Sequence, residues 1–203
     1  MAALPALATV ADLATALGRT FTPVQEAQAQ ALLEQASSVV RAYLRLDITR
    51  ATTTDTFTMR RADPALHRRG GTITLPQRPV VDIASVLING VATHDWWQEG
   101  NEVLVRSWSW EQPPAAHRPP RVTVSYTHGW DPVPDDIRAV VLQAANRALV
   151  NPSQLRAETV GGESVTYLVP NGGEALGVLL SELEKRALRR YKTLSGTVRV
   201  RGR

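Results

Sequence analysis

The 203-residue chain contains no cysteine. Disulfides and thiolate metal or redox sites are therefore excluded, and the composition fits a reducing compartment. No apolar run approaches the roughly 18 residues needed to span a membrane, so no membrane partner is expected. The opening stretch "MAALPALATVADL" lacks a basic region and carries Asp12 early, so no secretion signal is expected. There is no internal repeat and no low-complexity segment. No Asp or Glu follows Glu184.

That last absence shapes the charge. From Lys185 to Arg203 there are eight basic residues and no acidic one, a local charge of +8. The rest holds 15 Lys and Arg against 19 Asp and Glu, or −4. A weakly acidic body thus carries a basic C-terminal arm, and such arms meet nucleic acid or acidic protein surfaces. Hydrophobic residues make up 43% and charged residues 21%. This suits one good-sized domain, or a domain with an inserted subdomain, rather than a disordered chain.

Helical signals come first. Thr9 can cap a helix over Val10–Leu17, and Gly18 can end it. Thr22 and Gln25 have capping-box spacing, Pro23 fits the first helical position, and Leu32, Ala36, Val39, Val40 and Tyr43 recur on one face. From about Thr52 to Thr127 the period becomes two. "TDTFTM", "GTITL", "VVDIASVLI", "NEVLVRSW" and "RVTVSY" read as strands, and Val122, Val124 and Tyr126 share a face. Asn89-Gly90 between apolar arms is a hairpin signal. Prolines 76, 79, 113, 114, 119 and 120 fall between the runs, where no ladder bond is needed. Helical period returns after Pro134, with Ile137, Val140, Val141, Ala144 and Ala148 on one stripe and Asp135-Asp136 in the first turn. Asn151-Pro152 ends that helix. A last helix is expected from about Glu174 to Lys192, burying Leu176, Leu179, Leu180, Leu183, Ala187 and Tyr191. "SGTVRVRGR" then reads as a free tail.

The expected fold class is α+β: a helical bundle core interrupted by a small inserted β-subdomain, with a β-hairpin between the last two helices and a basic tail. The boundaries are 1–50 for the first part of the helical core and 51–130 for the β-subdomain. The second part of the core is 131–194, with the hairpin at 155–173, and the tail is 195–203.

Candidate chemistry is thin. His67, His94, His117 and His128 are scattered without metal-ligand spacing, and ordinary surface histidines are expected. All five tryptophans lie between 96 and 130. Base stacking would need basic residues woven among them, and only Arg106, Arg118 and Arg121 are near, so core or interface packing is expected. Gly161-Gly162 sits between two β-prone arms and not before a helix with a Lys, so it reads as a hairpin turn and not a phosphate cradle. The chain is expected to be no enzyme and to hold no metal or cofactor.

The hairpin itself is informative. It occupies a connection of about twenty residues where helix–helix loops run roughly two to eight. A lone hairpin is marginal in water, so Thr159, Val160, Gly161, Gly162, Glu163, Ser164, Val165, Thr166 and Tyr167 must lean on their own domain, a neighbouring subunit or a partner. The intersubunit role is expected. The arm comprises Arg186, Arg189, Arg190, Lys192, Arg199, Arg201 and Arg203, of which Arg189, Arg190 and Lys192 suit a helix end. Arg199, Arg201 and Arg203 alternate with apolar or small residues and suit strand addition to a partner's sheet edge, or phosphate contact.

The stretches "LPQRPVVDIASVLING", "VTVSYTHGWDPVPDDIRAVVLQAANRALVNP" and "RAETVGGESVTYL" resemble the head-to-tail adaptor (connector) proteins of long-tailed bacteriophages, in the versions from phages of high-GC hosts. The resemblance covers roughly residues 9 to 192. The small members of that family are essentially helical, so the insertion at about 52 to 127 is a departure. The resemblance implies a virion protein that assembles in the host cytoplasm into a ring, commonly of twelve subunits. That ring would lie below the portal at the neck, extend the double-stranded DNA channel, and dock the stopper or tail. It places the basic arm against the portal, with DNA as the rival partner. The alternatives are a nucleic-acid-binding protein using the arm and the Trp-rich sheet, or another neck protein such as a stopper or tail-completion protein.

Overall fold

The computed structural model describes residues 4–58, 71–105, 121–150, 157–160, 163–166 and 178–192. The chain divides into two compact units, one formed by residues 1–45 and 133–203 and the other by residues 46–132.

The first unit is mainly helical. Helix α1 spans Val10–Leu17 and α2 spans Pro23–Leu44. Both start at a complete capping box, Thr9 with Asp12 and Thr22 with Gln25, because each cap and its third residue satisfy one another's orphan N–H. Helix α1 stops at Gly18, whose φ of +61° is cheap for glycine. Helix α3, Asp135–Val150, buries Ile137, Val140, Val141, Ala144 and Ala145. Against it α2 buries Ala29, Leu33, Ala36, Ser37, Val40 and Leu44. The inward stripe of α2 is thus rotated from the expected one, and Leu32, Val39 and Tyr43 flank it half-buried. The buried Ser37 Oγ donates to the Leu33 carbonyl at 2.7 Å and accepts from Leu7 N–H at 2.9 Å. This ties the segment before α1 onto α2.

The last helix differs most from expectation. Helix α4 covers only Glu182–Leu188, followed by a 3-10 turn over Arg189–Tyr191. Residues 178–181 are not helical, and 174–177 lie outside the described residues. Ser181 and Glu184 form a third capping box and fix the later start. The buried face is also different. Leu188 and Glu184 turn inward, whereas Leu183 is 76% exposed and Ala187 is exposed. Strands β8, Ala157–Val160, and β9, Glu163–Thr166, pair antiparallel with Val160 opposite Glu163.

The second unit is built of strands. They are β1 Ala51–Thr58, β2 Gly71–Thr74, β3 Val80–Ile88, β4 Val91–Thr93, β5 Trp96–Glu99, β6 Glu102–Val105 and β7 Arg121–His128. Two antiparallel sheets result, ordered β1-β7-β3-β4 and β2-β6-β5. Both contribute to one core that includes Ile73, Leu75, Val86, Val103, Val105, Val122, Val124 and Tyr126. The β3–β4 turn is Asn89-Gly90, with φ of +52° and +87°, the pair of positive φ values that a two-residue hairpin with right-handed strand twist requires.

The ends of this unit meet at Gly129. Its φ is +89°, and a Cβ there would stand 2.4 Å from the Thr49 carbonyl oxygen and 2.8 Å from that of Ile48. Around it Trp130 N–H donates to Ile48 at 2.8 Å, Arg50 N–H donates to Trp130 at 3.0 Å, and Gly129 N–H donates to Pro79 at 2.9 Å. Replacing Gly129 with Ala should cost about 3 kcal/mol, because a left-handed backbone and a clash with main-chain atoms act together. Gly18→Ala meets open space and should cost only about 1 kcal/mol from its positive φ. Urea denaturation midpoints of the two variants check this; equal losses would show that the close approach at Gly129 is relaxed at no cost.

Candidate assembly surfaces

The basic arm splits into two kinds of residue. Arg190 is held by its own unit: its guanidinium bonds the Asp136 carboxylate, donates to the Tyr191 hydroxyl at 2.8 Å and lies 4.8 Å from that ring's centroid. Tyr191 in turn donates to Asp136 at 2.7 Å. Lys192 Nζ sits 4.6 Å from the centre of the Tyr43 ring, and the Tyr43 hydroxyl donates to the Lys185 carbonyl at 3.3 Å. Lys185 pairs with Glu182 at 2.7 Å. Arg186 and Arg189 are exposed and have no ion-pair partner among the described residues. They are the arm's open cations here, while Arg199, Arg201 and Arg203 lie outside the described residues. Burial first, and then the bond to Asp136, push the Tyr191 phenol up, so it stays a donor.

What carries this basic patch was not anticipated from sequence. Glu184 is only 5% exposed, and both of its oxygens accept from Arg147 of α3 at 3.0 Å. Arg147 also donates to the Leu179 carbonyl at 2.7 Å, and Ser181 N–H donates to Glu184 at 2.6 Å. This two-pronged pair clamps α4 to α3. The available signal was Ser181-x-x-Glu184, a capping box in the sequence.

The hairpin residues Thr159, Val160, Glu163, Ser164, Val165 and Thr166 fall in β8 and β9. Gly161, Gly162 and Tyr167 lie outside the described residues. Thr159 stands opposite Ser164, and Ala157 opposite Thr166.

In the second unit, β1 and β7 share an exposed row of hydroxyls. Thr52 meets Thr127 at 3.1 Å, Thr54 meets Ser125 at 2.7 Å, and Thr56 meets Thr123 at 3.0 Å. Beneath them lies a polar group set. Tyr126 donates to Asp55 at 2.7 Å and accepts from Gln77 N–H at 3.3 Å, and Gln77 Oε1 accepts from Asp47 N–H at 2.9 Å. Burial, reinforced by the bond to Asp55, raises the Tyr126 phenol far above its usual range. His128 is fully buried, which corrects the expected surface placement. Its Nε2 is 3.9 Å from Asp47, and neither ring nitrogen has a hydrogen-bond partner among the described residues. It ends the alternating inward face of β7, which carries it inside with Tyr126. His94 is exposed, and His67 and His117 lie outside the described residues. Trp96 packs half-buried on the core and Trp97 is exposed on β5, a strand that was not expected. Trp108 and Trp110 lie outside the described residues. Among the described residues no three His, Asp or Glu side chains converge as a metal would need.

No protein-family model matches the chain, and no curated protein sequence matches it. Solved structures do. A chain in the neck of an empty gene transfer agent particle, computed with C6 symmetry, is similar with a TM-score of 0.54 at 18% identity, over 98% of this chain and 96% of that one. A chain in the virion of a native gene transfer agent particle is similar with a TM-score of 0.54 at 17% identity, over 93% and 91%. At these identities the likeness is one of fold.

Two measurements test these sites. Glu184→Ala would strand a three-quarters-buried guanidinium (Arg147 is 22% exposed) and should cost about 3 kcal/mol. Glu182→Ala, which removes an exposed pair, should leave the denaturation midpoint unchanged. For His128, burial lowers the pKa from 6.5, with Asp47 and Asp55 opposing. The unfolded chain therefore takes up this proton first. Stability should be full above about pH 6.5, fall as pH drops below it, and level off once the folded imidazole protonates. His128→Leu should remove that part of the slope; an unchanged slope would assign it to other groups.

Proposed function

We propose that this chain is a structural subunit of a phage-like virion neck, a head-to-tail adaptor that forms a ring below the portal. One observation carries the reading. The fold likeness to a neck chain runs over nearly the whole of both chains, helical and stranded parts alike. The finer assignment draws on the motif resemblance. The ring extends the DNA channel, passes double-stranded DNA without sequence specificity, and gives the stopper or tail its docking surface. It assembles in the host cytoplasm and resides in the virion. A ring of twelve satisfies C6 symmetry with two subunits per repeat, so the symmetry of the similar neck is compatible with it.

In this reading the helical part is the ring core and the β-subdomain is an insertion. The β8–β9 hairpin is an intersubunit element, because a two-stranded sheet by itself is marginal. The arm contacts the portal. Arg186 and Arg189 offer exposed cations, and the alternating "TVRVRGR" suits strand addition to a partner's edge. Channel DNA is the less suitable partner, since tight phosphate contacts would hinder packaging. The protein is no enzyme. The polar groups that stand together, Asp47, Asp55, Gln77, Tyr126 and His128, surround a fully buried imidazole and a phenol locked as a donor, and neither suits proton transfer to a substrate.

Electron microscopy of the purified protein with and without its portal tests the reading. Rings are expected on portals, and a protein that stays monomeric with every portal preparation would overturn it. Replacing Thr159–Thr166 with a Gly/Ser link should leave the monomer folded and abolish rings; intact rings would remove the hairpin from the interface. Truncation after Leu194 should weaken portal docking severely without unfolding the monomer. Normal docking together with loss of a salt-dependent affinity for double-stranded DNA would transfer the arm to DNA. Stoichiometric zinc by elemental analysis, or saturable ATP binding, would contradict the non-enzymatic assignment.

A further inference from the structure

We infer that the β8–β9 hairpin of one copy adds to the free edge of β1 in a neighbouring copy, continuing the sheet β1-β7-β3-β4 across the subunit boundary. This rests on the ring reading and names the surface that receives the hairpin.

The acceptor is argued from the edges. Among the described residues the second unit presents four edge strands: β1, β4, β2 and β5. Three are short, with three residues in β4 and four each in β2 and β5. Short edges are one way that proteins blunt unwanted pairing. Strand β1 has eight residues, and its register with β7 runs from Ala51↔His128 to Thr58↔Arg121 without a bulge. It contains no Lys, Arg or Pro. Its one charge, Asp55, is half-buried and accepts from Tyr126, so it does not guard the outer face. A long, regular edge strand with no Lys, Arg or Pro and its one carboxylate turned to Tyr126 is a template for another strand.

The donor is argued from the hairpin. Strands β8 and β9 form a sheet of their own with no third strand among the described residues. Among the described residues each therefore keeps one outer edge of unpaired backbone groups. The register places Ala157, Thr159, Ser164 and Thr166 at alternate, mutually paired positions, with Glu158, Val160, Glu163 and Val165 at the intervening ones. The first set is rich in the residue types of the row formed by Thr52, Thr54 and Thr56 with Thr123, Ser125 and Thr127. Thr–Thr and Thr–Ser neighbours across strands are favourable pairs. Laid beside β1, the hairpin would extend that row from two strands to four.

The absence of native cysteine makes the test clean. Thr52→Cys, Thr54→Cys and Thr56→Cys are made in one tagged set. Thr159→Cys, Ser164→Cys and Thr166→Cys are made in another. Each is checked for fold by circular dichroism. The sets are then mixed pairwise, assembled on portals and oxidised, since neighbouring strands bring Cα atoms within the roughly 4.4–6.8 Å that a disulfide spans. At least one pairing should give a covalent dimer absent from either variant alone, and register should favour one Thr position over the other two. Wild-type rings with no cross-link in any folded pairing would overturn the edge addition and leave the neck reading standing. A cross-link from β1 to Val198→Cys in the tail, with none to the hairpin, would overturn it in favour of the tail. Failure of the wild type to form rings at all would overturn the neck reading, and the edge addition with it.

Discussion

Two backbone segments cross at Gly129 too closely for any side chain to fit between them. The segment entering the stranded unit, Ile48–Arg50, and the segment leaving it, Gly129–Trp130, exchange two hydrogen bonds of 2.8 and 3.0 Å. Any side chain at Gly129 would collide with the Thr49 and Ile48 carbonyls. A stranded unit inserted into a helical chain must bring its two ends together. Here the crossing does so and also fixes a register. Strand β1 begins at the next residue, Ala51, opposite His128, and eight consecutive pairs follow. Since side chains alternate across a strand, that register decides everything on the two faces. Val122, Val124 and Tyr126 go to the core, while Thr123, Ser125 and Thr127 meet the threonines of β1 outside. A slip of one residue would bury the hydroxyls and expose the valines. The hydroxyl row that β1 shares with β7 is thus a consequence of where Gly129 lets the chain close.

In the helical unit the comparable constraint is a charge. Glu184 lies almost without exposure on the inner face of α4, where an unpaired carboxylate would be costly. Arg147 answers with both guanidinium nitrogens, and the Ser181 N–H completes the set. This pair sorts the basic residues that follow. With Glu184 and Leu188 turned inward, Arg186 and Arg189 face solvent, while Arg190 and Lys192 reach back to Asp136 and Tyr43. A count of charges makes the arm look uniform, but the folded helix divides it into cations already engaged and cations on offer.

The features legible in the sequence were those settled within a few residues. The Thr9 cap, the Thr22–Gln25 capping box, the Asn89-Gly90 turn, the α3 stripe and the inward trio of β7 depend on local spacing, and the structure has them. Features decided by distant partners were not legible. The last helix was expected from residue 174, because leucines recur there at helical spacing. Its observed start at Glu182 follows from the Ser181 cap and from a glutamate drawn inward by an arginine 37 positions away. From sequence, Glu184 was assigned no role. His128 was expected at the surface because the four histidines are scattered without metal-ligand spacing. Strand β5 escaped notice because "WWQE" does not alternate in polarity, although Trp96 packs on the core and Trp97 faces out. Of the candidate surfaces, the hairpin and the arm were visible as composition. The β1 edge was not, since an edge is a property of a sheet and not of a strand.

The two surfaces differ in the physics that would hold them. Arg186 and Arg189 act through exposed charge, which ordinary salt screens over about 8–10 Å. The β1 edge and the hairpin offer backbone N–H and C=O groups with neutral hydroxyls beside them, and such contacts respond little to ionic strength. A neck needs both behaviours if it is built in stages. Subunit-to-subunit contacts must persist once made, whereas docking onto a partner gains from steering by charge at a distance. In the neck reading, the β1 edge belongs to the ring's own closure and the charged arm to the partner above it. The chain's charge follows the same division: +8 over its last 19 residues, and no Lys or Arg in the strand that would carry the ring contact.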